Sequence, residues 1–337
     1  MATAIALAVP AEASALSTKK ISADAAQKQK GLSSITEDAA RGHVYFLADD
    51  LLEGRRAGER GSRIAKQYII SQIREAGLKP FLGESYEQPF EAVAAQKLKR
   101  GVRFFVEADS VAELKKQVHQ TMHLSNVLTV LSGKKTDEYV VVGAHLDHEG
   151  MYPDVEGDNI YNGADDNASG VSAVLQIMKA FVASGAQPER TVVFAFWDGE
   201  EQGLLGSRYF TENFRDMAKV KGYLNFDMVG SGTDSKYLMY FFTAAHPKFG
   251  EWLKEDVKTY GFSAFTPDYR SWENPVGGSD QQSFHLKGVP IVWYHTGGQP
   301  HYNFPTDEAA TVNYPKLTDI TRASFLTAWR MANEAAY

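Results

Sequence analysis

Two stretches of this chain are apolar with almost no interruption: residues 139–143, Tyr-Val-Val-Val-Gly, and residues 191–197, Thr-Val-Val-Phe-Ala-Phe-Trp. Short apolar runs without alternation predict strands covered on both faces. Between them Val171, Val174, Leu175, Met178 and Val182 recur at helical spacing, predicting a helix over residues 169–184 that ends before Gly185. The same reading predicts further strands at 102–106, 127–131, 223–226, 237–242 and 289–294. Thr36, followed by Glu37 and Asp38, opens a helix to about Ala48. Ser62 is placed to cap another, with Ala65, Tyr68, Ile69, Ile73 and Ala76 on its apolar face and Gly77 beyond its end. A last helix begins near Pro315 and turns Leu317, Ile320, Phe325 and Ala328 inward. Strands alternating with helices predict an α/β fold: a single doubly wound, mostly parallel (mixed) sheet with helices on both faces. Residues 1–34 read as leader and linker, and residues 35–337 as one domain.

Composition narrows the class. A hydrophobic content of 44% is enough for a large core, and a formal net charge of −7 argues against nucleic-acid binding, which needs a clustered basic surface. With no cysteine there is neither a disulfide framework nor a thiolate metal site. No apolar run is long enough to span a bilayer, and nothing points to an obligate protein partner. Residues 2–15 are rich in alanine, with an apolar piece at 5–9 and small residues at Ala11, Ala13 and Ala15. They resemble the tail of an export signal without its basic start, so the expected location is periplasmic or secreted.

The chemistry is concentrated between residues 139 and 207. Three segments stand there: Gly143-Ala144-His145-Leu146-Asp147-His148, Asn162-Gly163-Ala164-Asp165-Asp166-Asn167-Ala168-Ser169-Gly170, and Trp197-Asp198-Gly199-Glu200-Glu201-Gln202-Gly203. One acidic segment would be an ordinary polar turn. Three in succession, each beside a buried element, bring one imidazole and several carboxylates to the carboxyl edge of one sheet, where open α/β sheets bind ligands. His145, Glu200, Glu201 and Asp227 follow strands, and Asp166 precedes a helix. Neutral imidazole and carboxylate oxygens suit zinc and its neighbours. Asp147 is placed to accept the other N–H of the His145 imidazole and fix its tautomer. Glu200 and Glu201 are adjacent and cannot share a direction, so one is expected to hold metal and the other to take a proton from the attacking water.

Together these segments resemble a bacterial member of the dizinc aminopeptidase family, relatives of glutamate carboxypeptidase and glutaminyl cyclase. The resemblance covers residues 35–337. It extends to Glu53-Gly54-Arg55, Gly61-Ser62, Tyr86-Glu87-Gln88-Pro89 and Asn225-Phe226-Asp227-Met228. It implies the zinc-exopeptidase type of fold and two zinc ions. It further implies His145 and Asp227 on one ion, Asp166 bridging both, Glu201 on the second, Glu200 as general base, and a cis peptide at Asp166–Asn167. It also implies hydrolysis of peptide substrates, with removal of N-terminal residues. A glutaminyl cyclase-like acyltransferase and a non-catalytic receptor-like module on the same fold are the alternatives.

Two positions depart from the family pattern. Its last ligand is usually a histidine at the place where Asn303 stands in Tyr302-Asn303-Phe304-Pro305-Thr306-Asp307, and Gln281 replaces a common histidine in Ser279-Asp280-Gln281. His301 is expected to complete the second metal position in place of Asn303. Arg55, Arg56 and Arg270 are the loop arginines, each expected at a solvated surface.

Overall fold

The computed structural model describes residues 23–95 and 102–337. The export-signal reading of residues 2–15 lies outside them. The strands are β1 (Lys79–Pro80), β2 (Glu87–Ala95), β3 (His119–Leu131), β4 (Lys135–His145), β5 (Gly150–Met151), β6 (Ile160–Tyr161), β7 (Arg190–Trp197), β8 (Val220–Phe226), β9 (Tyr237–Thr243), β10 (Thr266–Trp272) and β11 (Ile291–His295). The helices are α1 (Ala23–Ser34), α2 (Glu37–Leu47), α3 (Arg60–Glu75), α4 (Ala108–Leu114), α5 (Gly170–Ser184), α6 (Leu205–Asn213), α7 (Lys248–Tyr260), α8 (Gln281–His285) and α9 (Tyr314–Asn333).

One nine-stranded sheet organises the molecule, in the order β1-β3-β7-β4-β8-β11-β9-β10, with β2 paired to β3. Its centre, β7-β4-β8-β11, is parallel, while β3 against β7 and β9 against β11 are antiparallel. Val140, Val142 and Ala144 of β4 face a large core shared with α2, α3, α5 and α9. Val141, one residue out of phase, joins a second core with Trp197, Phe210 of α6 and Phe284 of α8. Both faces are therefore covered, which is why β4 and β7 carry unbroken apolar runs. Thr36 caps α2 by accepting from the Ala39 N–H, and α5 ends at Gly185, whose φ is 68°.

The structure corrects several local expectations. Residues 102–106 form no strand: Phe105 makes an isolated bridge to Val93, while Phe104 and Val106 tuck into a small cluster beneath β2. Ser62 caps nothing. It is buried in the first turn of α3, its hydroxyl 3.4 Å from Asp198. The polar stretch read as a linker is helical from Ala23. In α1, Leu32 is buried in the large core, and an added Cβ at Gly31 would sit 2.6 Å from the Phe325 ring. Its lysines face outward, as Lys28 does on Asp24, so composition alone concealed one buried edge. No helix among the described residues is long and apolar enough to cross a membrane.

Candidate metal centre

The carboxyl edge of the parallel centre gathers the predicted side chains. His145 ends β4, Glu200 and Glu201 follow β7, Asp227 follows β8, and Asp166 lies in the turn leading into α5. His145 Nε2 is 3.3 Å from Asp166 Oδ1 and 3.5 Å from Asp227 Oδ1. Donors bound tetrahedrally at zinc distances of about 2.0–2.1 Å lie roughly 3.3 Å apart. Asp166 Oδ1 is buried and, despite that proximity, makes no aligned hydrogen bond. The two atoms thus stand at the separation of neighbouring metal donors without an aligned hydrogen bond between them. The other oxygen, Asp166 Oδ2, is 3.7 Å from His148 Nδ1, which is 2.8 Å from Glu201 Oε1. Two donor groups, His145–Asp166–Asp227 and His148–Asp166–Glu201, therefore share one carboxylate, and a third joins His145 to Glu200 and Glu201.

The turn that presents Asp166 is held from every side. Asp307 accepts the backbone N–H groups of Asp165 and Asp166 at 3.0–3.1 Å. Asn167 donates to Phe226 O and accepts from Gly170 N and Met228 N, tying the Asp166 turn to the Asp227 turn. The Asp166–Asn167 peptide is cis. Gly163 opens the turn at φ 58°, and a Cβ there would lie 2.1 Å from Asp166 O and 2.5 Å from the His148 ring, so no larger residue fits. Asp165 is turned away: its carboxylate accepts from the Gly230 N–H at 2.7 Å and from the Ser169 hydroxyl.

Asp147 acts differently from expectation. Its carboxylate is 3.9 Å from His145 Nδ1, too far for a hydrogen bond, and its backbone carbonyl meets that nitrogen at 3.2 Å instead. The carboxylate accepts the N–H groups of Glu200 (3.1 Å) and Glu201 (3.4 Å), and so orients the two glutamates. Asp198 is not a solvated turn residue: it is buried and paired with Lys66 of α3.

His301 is not brought to the cluster. Its Nδ1 bonds Thr306 Oγ1 at 2.9 Å, and Asn303, at φ 55°, buries its side-chain oxygen without a partner. The loop of 296–300 does not redirect His301, because Gln299 fixes it through the His301 N–H and reaches Asp307 as well. The imidazole in hydrogen-bond contact with Glu201 is that of His148. Strand alternation ends at His145 and says nothing about direction three residues later. The available signal was a second histidine in the same dense segment, in a chain with asparagine at position 303.

Arg55 also departs from expectation. It is 1% exposed and donates to the carbonyls of Leu47, Leu146, Asn162 and Gly163. Burial lowers its pKa to about 10, against the pull of Asp166, Asp307, Asp147 and Glu201. It is a fixed positive charge beneath the acids. Arg55→Met would leave those carbonyls unpaired and the acids without their counter-charge. The expected loss of stability is on the order of 3–5 kcal/mol, read as a lower urea midpoint at unchanged slope in the metal-free chain. A midpoint equal to wild type would show the arginine to be dispensable.

One arginine does not balance the set. Burial pushes Asp166 up to about 6 and Asp147, Glu201 and Asp280 up to about 7, and lifts Glu200 well above the carboxylate range. Burial alone would lower the pKa of His145, but Glu200, Asp166 and Asp227 outweigh it and hold it well above normal. A buried group of acids with two imidazoles and such repulsion fits divalent cations, zinc among them. His145, Asp166, Glu200, Glu201 and Asp227 themselves line a cavity of about 300 Å³, which Met228, Gly278, Trp293, His295 and Tyr302 extend outward. A larger groove of about 1160 Å³ runs between α3 and β3, and among the described residues its lining gathers no comparable set.

Comparison with known proteins agrees with this geometry. The pattern of Peptidase family M28 matches residues 126–328. The chain is 31% identical over 176 residues to leupeptin-inactivating enzyme 1 of Streptomyces exfoliatus, covering 51% of this chain and 36% of that one. It thus spans about a third of the length of the curated relatives it matches. A zinc aminopeptidase from Bacillus subtilis superposes with a TM-score of 0.66 at 14% identity, covering 90% of this chain and 97% of that one. A glutaminyl cyclase from Fimbriiglobus ruber superposes at 0.65 and 16% identity, covering 88% and 95%. At these identities the structural likeness is one of fold.

Proposed function

This chain belongs to peptidase family M28, and on that premise we propose that it is a zinc-dependent aminopeptidase with two metal positions. The observation that carries the reading is the division of Asp166 between two donor groups, with Glu200 alongside. His145, Asp166 and Asp227 would hold one ion, and Asp166 and Glu201 the other. When bound, the zinc ions supply Lewis acidity to the water and to the scissile carbonyl.

The chain's own residues do the rest. Glu200 accepts a proton from the attacking water as its oxygen bonds to the carbonyl carbon, and returns it to the amine as the C–N bond breaks. Asp147 positions Glu200 through its backbone N–H. The cavity of about 300 Å³ is at the small end for a ligand pocket. That volume includes the space over the metal donors, and Met228 and Trp293 give one side of it an apolar wall suited to an apolar N-terminal side chain.

The test is a panel of short peptides and aminoacyl anilides, assayed with added zinc. Free N-terminal residues should be released, and acetylating the amine of a good substrate should abolish release, because the charged chain end is its anchor. Equal cleavage of blocked peptides from the carboxyl end would replace the reading with a carboxypeptidase. The likeness to glutaminyl cyclase favours one second reading. A peptide with N-terminal glutamine separates the two, since the hydrolase releases free glutamine and a cyclase converts the terminus to pyroglutamate.

A further inference from the structure

We infer that His148, in place of His301, is the imidazole ligand of the second metal position, which gives that position the donors His148, Asp166 and Glu201. The inference rests on the two-ion reading above and specifies its chemistry. His148 is fully buried, and its Nδ1 stands 2.8 Å from Glu201 Oε1 and 3.7 Å from Asp166 Oδ2. Those separations bracket the value of roughly 3.3 Å for neighbouring tetrahedral zinc donors. His145 makes the equivalent approach to the opposite oxygen of Asp166 at 3.3 Å, so the two imidazoles flank one carboxylate. Among the described residues, no other histidine joins a group of three or more converging donors. His301 is engaged by Thr306, and His295 Nδ1 bonds the Asp227 carbonyl.

The backbone around His148 supports a fixed orientation. Its N–H points to Arg55 O at 3.4 Å, and Arg56 bridges to it in parallel, so the loop of 54–56 holds the segment after β4 against the sheet edge. Gly163 packs against the ring where no side chain fits. His148 Nε2 is buried with no hydrogen-bond partner, so the polar contacts of the ring are those of Nδ1 with Glu201 and Asp166. A simple hydrogen bond from His148 to Glu201 would use the same contact, and the experiment has to separate the two roles.

His148→Asn does so, because the asparagine amide keeps an N–H donor near the Nδ1 position and lacks the imidazole lone pair. Wild type, His148→Asn, His148→Ala and His301→Ala would be loaded with zinc, dialysed and measured for zinc per chain. Circular dichroism would confirm the fold of each. The wild type should hold two ions. Both His148 variants should keep one and bind the second at least about 100-fold more weakly, more than loss of an outer partner costs. His301→Ala should match the wild type. With zinc raised until both positions fill, X-ray absorption should show the imidazole signal per zinc falling from about one to about one half in His148→Asn. Should His148→Ala not fold, His148→Asn decides alone.

Wild-type affinity for two ions in His148→Asn would overturn the inference, as would loss of the second ion in His301→Ala. A wild-type chain that hydrolyses peptides with one ion also overturns it while leaving the hydrolase reading intact. A chain that binds two ions through His148 and hydrolyses nothing refutes the hydrolase reading and leaves this inference standing.

Discussion

Glu200→Gln should retain the fold and the full zinc content and lose most turnover, with kcat falling roughly 10²–10⁴-fold, the range for a general base. The substitution is isosteric, and the Glu200 backbone is held independently of its side chain. Its N–H donates to Asp147 at 3.1 Å, and its carbonyl accepts from Gly203 and Leu204 at 2.8 Å. Only the ability to take a proton disappears. Burial holds the Glu200 carboxyl well above its ordinary range, so it retains a proton more firmly than a solvated glutamate. KM should change little, because the amide occupies the same volume. Glu201→Gln, by contrast, should lose zinc at the second position before it loses anything else. Wild-type kcat in Glu200→Gln, or zinc loss there instead of in Glu201→Gln, would exchange the roles of the two glutamates.

The sheet and its order of chemistry were legible in the sequence because they rest on local signals. Continuous apolar runs at β4 and β7 and the helical period of α5 need no partner to be recognised. The acids that end or follow these elements inherit their position at the sheet edge. What was not legible depends on distant contacts. Arg55 lies in a short glycine- and arginine-containing loop, and only the convergence of the Leu47, Leu146, Asn162 and Gly163 carbonyls makes it a core residue. Asp198 reads as one more acid in a polar turn until Lys66 of α3 is seen opposite it. The helix α7 did carry a local signal, with Phe249, Trp252 and Leu253 at helical spacing. The strand β10 carried almost none, since it pairs only with β9 at the sheet edge and none of its residues is fully buried.

Position 303 illustrates the limit more sharply. A missing histidine can be recognised in the sequence, but its replacement cannot be chosen by nearness along the chain. His301 is two residues away and faces Thr306, whereas His148 is remote in sequence and faces Glu201. Each side chain follows its own backbone anchors: Gln299 for His301, and Arg55 with Gly163 for His148.

Asp166→Ala should empty both metal positions at once. One carboxylate presents Oδ1 to His145 and Oδ2 to His148, so its removal takes a donor from each group. Loss of an outer partner of a ligand costs about 10–100-fold in affinity; loss of a shared inner donor should exceed that at both positions. After dialysis against a weak chelator, the variant should retain almost no zinc where the wild type retains two ions. Asp165→Ala is the control. Its carboxylate is committed to the Gly230 N–H and the Ser169 hydroxyl, and burial and Asp307 hold its pKa well above the normal range. That variant should lose stability, through an unpaired N–H and a small cavity, before it loses metal. Because Asp307 anchors the N–H groups of both residues, the turn itself should survive either change. Zinc retention in Asp166→Ala with zinc loss in Asp165→Ala would mean that the neighbouring aspartate is the bridge. Loss of only one ion in Asp166→Ala would mean that the two donor groups do not share a carboxylate, and the two-ion arrangement would have to be rebuilt around Glu201.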